Sequence, residues 1–157
     1  MHSTIQKYKD IISSIKRKIE EQNIHTTPKI IAVSKTFKLE KILPLIEYGH
    51  LDYGENKVQE AIEKWSEIKL KKQNIKLHLI GRLQTNKVKY AIKIFDYIHS
   101  VDSRKLLQKI ADEQDKQNKK FNLSEISMGM SSDYLKAVEN SSTYLRIGSS
   151  IFGQRSK

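Results

Sequence analysis

The sequence contains no cysteine. That single absence removes disulfide bonds, thiolate metal sites and a cysteine nucleophile together, and it fits a reducing compartment. Proline and glycine are scarce too, two and six in 157 residues, so no Pro/Gly linker divides the chain. Nowhere do 18 apolar residues run together, and the opening MHSTIQKYKDIISSIKRKIEEQN has no apolar run of signal-peptide type, so the expected address is cytoplasmic. Acidic residues are few against basic ones, 18 Asp+Glu to 29 Lys+Arg, which leaves a net charge of +11. Of those 29, only five are arginine and 24 are lysine. Nucleic-acid readers favour the planar arginine fork and interleaved aromatics, so this charge supports only non-specific attraction to polyanions; neither a specific nucleic-acid partner nor a membrane is expected.

What is present is an alternation of two periods. At 157 residues the chain is one domain's worth, from which two full domains are not expected. Ser3 and Gln6 stand at capping-box spacing, and Ile5, Tyr8, Ile12, Ile15 and Ile19 share a face, which predicts a helix ending near Asn23. KIIAVSK then reads as a short strand buried on both faces. The pattern recurs at LDYG (51–54), LHLIG (77–81), YIHSV (97–101), EISMGM (125–130) and YLRIG (144–148). Between these lie segments of helical period, among them Leu39, Ile42, Leu43 and Ile46; Val58, Ala61, Ile62 and Trp65; Val88, Ala91, Ile92 and Phe95; and Leu106, Leu107, Ile110 and Ala111. Short strands alternating with single helices predict an α/β fold with a parallel sheet, whose functional groups collect at the carboxyl ends of the strands.

Those ends carry small and polar residues. Lys35 follows the buried run IIAV after one serine, at a strand end where desolvation and nearby cations would free its amine as a nucleophile; the alternative is one more solvated lysine. GMSSD followed by YLKAVEN, and RIGSSIFG after the last strand, each offer backbone amides and serine hydroxyls suited to a phosphate, although tight turns alone would explain them. A lysine nucleophile opposite a phosphate cup is the arrangement that pyridoxal 5′-phosphate requires. Arg146, two residues before the glycine turn, is a candidate partner for the ring nitrogen, or else a member of an ordinary ion pair. His78 and His99 lie in strands without a carboxylate or second histidine at ligand spacing and read as core histidines; Trp65 reads as core. Asn56 stands near a helix start, and GRLQTNK lacks phosphate-loop spacing.

Taken together, AVSKT (32–36), YGENKVQE (53–60), HLIGRLQTNK (78–87), IHSVDS (98–103), SMGMSSD and RIGSSIFGQR resemble the pyridoxal phosphate homeostasis protein family, in family order and over most of the chain. The resemblance implies an alanine-racemase-like (β/α) barrel of TIM type that holds pyridoxal 5′-phosphate through a Schiff base and acts as a carrier or regulator of the cofactor pool, without established catalysis. It implies that Lys35 forms the Schiff base, that Asn56 lies near the cofactor, that Ser131 is a phosphate ligand, that Arg146 faces the pyridine nitrogen, and that Gly148 and Ser149 complete the phosphate cup. Pyridoxal-phosphate-dependent apo-enzymes would be the recipients.

The chain is short for that fold, since an eightfold barrel takes about 250 residues. The expectation is therefore a single domain over residues 1–157 with about six strand-helix units, and an internal deletion of the fifth and sixth units near residues 119–123. Open strand edges left by such a deletion would invite aggregation, domain swapping or dimer pairing, so the expected state is a monomer or a dimer joined through those edges. A racemase of the same barrel type is the enzymatic alternative; it needs a second acid/base group from a further domain, and the sequence ends at IFGQRSK. A non-functional remnant and a basic, non-specific nucleic-acid binder complete the alternatives.

Overall fold

The computed structural model of the chain describes residues 2–117, 132–139 and 143–154. Its first element is helix α1 (Ser3–Glu21). The cap is His2 rather than Ser3: the His2 carbonyl accepts from the amides of Ile5 (3.0 Å) and Gln6 (3.2 Å), and its Nδ1 accepts from Thr4 N–H at 3.3 Å. Ser3 is already helical, so its side chain is one residue too late to cap. The buried stripe runs through Thr4, Tyr8, Ile11 and Ile15, about one residue from the predicted one, and Ile5, Ile12 and Ile19 sit half-buried at its margin. Asn23 ends the helix in the left-handed region (φ 51°), with Ile24 N–H on the Ile19 carbonyl (3.0 Å) and Asn23 N–H on that of Glu20 (3.3 Å), a Schellman closure.

The remaining elements alternate as the periodicity predicts: β1 (Lys29–Val33), α2 (Leu39–Glu47), β2 (Asp52–Glu55), α3 (Val58–Lys71), β3 (Lys76–Leu79), a short 3-10 turn (Thr85–Lys87), α4 (Val88–Ile94), β4 (Tyr97–Ile98), α5 (Arg104–Lys116), α6 (Tyr134–Glu139), β5 (Tyr144–Ile147) and α7 (Ser149–Phe152). The strand expected at 125–130 and the junction expected at 119–123 lie outside the described residues. The chain divides into two compact units, Met1–Asp52 with Ser124–Lys157, and Tyr53–Leu123, and it passes from one to the other within β2.

In the first unit β1 and β5 pair in parallel, with Ile30 opposite Leu145 and Ile31 opposite Arg146. The first strand therefore lies beside the last one of the chain, the arrangement that closes a (β/α) barrel. Helix α1 packs on α2, α6 and α7, over a core that includes Ile31, Ala32, Ile42, Leu45, Leu145, Ile147 and Ile151. Lys18 of α1 holds Glu139 of α6 at 2.6 Å. Tyr8 donates its hydroxyl to His50 Nδ1 (2.8 Å), because His50 Nε2 must carry its hydrogen to the Asp52 carbonyl (2.8 Å).

In the second unit the strands lie in the order β4-β3-β2, with β3 and β4 parallel and His78 opposite Tyr97. Trp65, Tyr53, Leu77, Leu79, Ile92 and Phe95 form its core. Glu55 is fully buried and accepts from Lys64 Nζ and Trp65 Nε1, both at 2.9 Å; burial of such a carboxylate is tolerable only with donors of this kind. The Asp96 carboxylate likewise gathers Lys69 Nζ (2.6 Å) and the Leu77 amide (2.9 Å). Strand β4 covers two of the five residues predicted for it; His99 N–H still donates to the Leu79 carbonyl (2.9 Å), and beyond it the contact is made by a side chain, Ser100 Oγ donating to the Gly81 carbonyl.

Candidate functional site

Four of the six expected site residues, Lys35, Arg146, Gly148 and Ser149, belong to the first unit, where β1 and β5 run side by side. Strand alternation gives Ile31 and Val33 the same face of β1, and the register sets Arg146 beside Ile31. Two residues further on, Gly148 meets Val33 so closely that a Cβ built there would stand 3.1 Å from Val33 Cβ and 3.2 Å from its carbonyl oxygen. Glycine is favoured at 148 by this close approach, and not by its φ of −121°. Its carbonyl accepts from Ile151 N–H (3.0 Å) and Phe152 N–H (2.9 Å) to start α7, and Ser149 is the exposed first residue of that helix.

Past Val33 the chain turns. Ser34 is fully buried, its carbonyl accepts from Phe37 N–H at 3.2 Å, and half-buried Lys35 occupies the turn so closed. Thr36, the other residue of the turn, has φ 66°, a left-handed conformation that costs a β-branched residue dearly.

Arg146 answers the question its spacing left open. Among the described residues it forms no ion pair, and its Nε is buried without an acceptor. A guanidinium hydrogen left in this way costs free energy unless a further group meets it. Lysine amine, buried guanidinium donor and close-packed glycine turn are what a phosphorylated aldehyde with a basic ring needs from a protein, so the residues present fit pyridoxal phosphate.

Asn56 lies in the second unit, after β2. It does not cap α3, whose N-cap is Lys57 without a side-chain hydrogen bond, and its Oδ1 is buried with no partner among the described residues. Gly81 presses on it: a Cβ there would come within 2.3 Å of the Asn56 carbonyl oxygen. Nothing in GRLQTNK signals this approach, which only the tertiary structure reveals. Sequence reasoning also missed the pairing of the two strand histidines, for His78 Nδ1 and His99 Nε2 lie 3.0 Å apart and His78 stacks on Tyr97 at 4.4 Å. With His78 opposite Tyr97, His99 lies two residues further along and so on the same face as His78, and this alternation along two neighbouring runs is the signal that could have found the pair. Trp65 is core as expected, with 0% exposure. Ser131 lies outside the described residues. Among the described residues no three His, Asp or Glu side chains form a metal-holding group, and no helix is long and apolar enough to cross a membrane.

No family model matches the chain. Curated proteins do. A pyridoxal phosphate homeostasis protein of Vibrio alginolyticus is 34% identical over 119 residues, 73% of this chain and 50% of the relative. The namesake protein of Synechocystis sp. is 26% identical over 200 residues, which take in 81% of this chain and 91% of the relative. In sequence this chain is similar to the pyridoxal phosphate homeostasis proteins. It spans between about a third and a half of the length of the first curated homeostasis proteins it matches, 34% in the Buchnera aphidicola protein and 50% in the Vibrio alginolyticus one. The Synechocystis alignment is longer than the 157 residues of this chain, so that homeostasis protein carries a segment with no counterpart here. Among solved structures, PipY of Synechococcus elongatus with PLP bound superposes with a TM-score of 0.74 at 24% identity, over 88% of this chain and 100% of that one. An unknown protein from Bifidobacterium adolescentis reaches 0.85 at 19% identity, over 96% and 94%. These likenesses establish the fold: the α/β architecture expected from the sequence is that of PipY, a (β/α) barrel type reduced in this chain.

Proposed function

We propose that this chain binds pyridoxal 5′-phosphate reversibly and serves intracellular homeostasis of that cofactor as a buffer or carrier, delivering it to apo-enzymes without turning over a substrate. The observation that carries the reading is the buried Nε of Arg146, without an acceptor among the described residues, on the strand paired with the one that leads to Lys35. Supporting it are the name shared by the curated relatives and the bound PLP of the PipY structure.

Pyridoxal phosphate, when bound, supplies an aldehyde open to reversible condensation with an amine and a pyridine ring that can act as an electron sink. Lys35 provides the amine. Gly148 and Ser149 provide the turn that receives the phosphate, and Asn56 and Ser131 keep the roles that the resemblance gives them. Arg146 is permanently charged and donates only, so a ring nitrogen held against it stays unprotonated. That weakens the electron sink and favours holding the cofactor over amino-acid chemistry. The missing units are proposed to have been lost near residues 119–123.

Titration of the purified protein with pyridoxal phosphate, followed by absorption beside a Lys35→Ala variant, tests the proposal. The expected result is a saturable shift of the aldehyde band in the parent only. Identical spectra of parent, variant and free cofactor would overturn it.

A further inference from the structure

We infer that Thr36 is a positioning residue: its left-handed backbone, locked by a ring contact between Phe37 and Phe152, sets the direction in which Lys35 leaves the end of β1 and ties that amine to the turn at Gly148 and Ser149. The inference rests on the pyridoxal phosphate reading above. Thr36 holds φ 66° although its side chain is exposed, so packing of that side chain does not reward the conformation. A β-branched residue strongly disfavours this region. What holds it lies on either side. Before it, buried Ser34 accepts Phe37 N–H at 3.2 Å and closes the turn. After it, the Phe37 ring lies 5.2 Å from that of Phe152, inclined at 45°, and Phe152 is buried to 1% exposure in α7.

Helix α7 starts from Gly148, whose backbone is pressed against Val33, the last residue of β1. The contacts thus form a closed circuit: from Val33 through Ser34, Lys35 and Thr36 to Phe37, across to Phe152, back along α7 to Gly148, and onto Val33 again. Neither turn can shift without the other. Strained backbone persists only where its surroundings over-determine it, and such positions concentrate where geometry is used. A loose turn would leave the four-carbon stem of Lys35 to search many directions, whereas a fixed one presents the amine at a set distance from the anion turn.

Three variants test this without altering Lys35 or the anion turn. Thr36→Gly permits the same φ but no longer restricts the turn; Thr36→Asn suits the left-handed region and keeps a restricting Cβ; Phe152→Leu removes the ring contact. The readouts are hydrogen exchange of the Phe37 amide in cofactor-free protein and the rate of pyridoxal phosphate capture. Thr36→Gly is expected to melt with the parent, to exchange the Phe37 amide roughly tenfold faster and to capture the cofactor roughly tenfold more slowly, in keeping with the cost of misplacing a reacting group. Thr36→Asn is expected to retain the parent's behaviour in both, and Phe152→Leu to speed exchange as the glycine does. Parent-like exchange and capture in Thr36→Gly, equal losses in the Asn and Gly variants, or unchanged exchange in Phe152→Leu would each overturn the inference. Should the parent itself capture no pyridoxal phosphate, the proposed function falls by that result, and the exchange data alone decide whether the clasp exists.

Discussion

Arg146 carries its polar Nε into a buried place where no described residue accepts from it. Selection for stability alone would remove such an atom, because an unsatisfied buried donor costs about 1–3 kcal/mol. Arg146→Met is therefore expected to leave the folded state as stable as the parent, or more so by about 1 kcal/mol, while weakening pyridoxal phosphate binding at least about tenfold. Denaturant melts and a cofactor titration on the same preparation check both halves, and a destabilised variant that still binds well would contradict the account. Two glycines give a graded comparison. Gly148→Ala meets the Val33 side chain at 3.1 Å, which a shift of a few tenths of an ångström relieves, whereas Gly81→Ala meets the Asn56 carbonyl at 2.3 Å and backbone has to move. The expected costs are about 1 kcal/mol for the first and about 3 kcal/mol or more for the second, by equilibrium unfolding. At this scale the sequence announced residue types well and environments poorly. Lys35 stood out because it lies two residues past the buried run IIAV, at the carboxyl end of a strand. Whether Arg146 had found a carboxylate, and what Gly81 touched, depend on contacts between segments far apart in the chain.

Helix α1 shows what an element contributes and how its contacts depend on pH. Glu139 is held below the usual carboxylate range by the hydrogen bond from Lys18, with burial opposing and the charges of Lys18 and Lys136 adding to the effect. A carboxyl lowered in this way stabilises the fold above the ordinary carboxylate range, and the contribution fades as pH falls through the depressed value. Urea midpoints measured toward acid should decline less steeply in Lys18→Met than in the parent; parallel curves would count against the tie between α1 and α6. Tyr8 behaves in the opposite sense. Burial first, then the negative charge of Tyr48 and Asp52, push it up to about 12. Its contribution is complete below the unfolded value of about 10 and is lost as pH rises toward about 12, so Tyr8→Phe should flatten the alkaline limb of the stability curve. Elements themselves were mostly legible, since short largely apolar runs alternating with helices of clear period leave little choice. The errors came at their ends. Ser3 matched a capping pattern, yet the hydrogen bonding starts one residue earlier at His2, and β4 is shorter than its apolar run because beyond His99 the contact to the neighbouring segment is made by the Ser100 side chain.

For the molecule as a whole, the α/β order of elements was implied by periodicity, whereas the pairing of β1 with β5 follows from the barrel that the resemblance implies. The shortened length was legible as well, and the long Synechocystis alignment bears it out. What periodicity does not convey is how the chain divides, because the boundary at Asp52 and Tyr53 falls inside a strand with no turn residue to mark it. A ligand that binds only the folded chain stabilises it by mass action, by about 2.7 kcal/mol at a hundredfold excess over Kd. Pyridoxal phosphate should accordingly raise the melting temperature of the parent in a concentration-dependent way and leave that of Lys35→Ala unmoved. The central claim, that one lysine holds the cofactor, meets its most direct test in a chain with 24 lysines. Protein incubated with limiting pyridoxal phosphate is reduced with borohydride and digested, and the labelled peptide is located by mass spectrometry. The account predicts a stoichiometric label on Lys35; label spread over the surface lysines with no preference for Lys35 would contradict it.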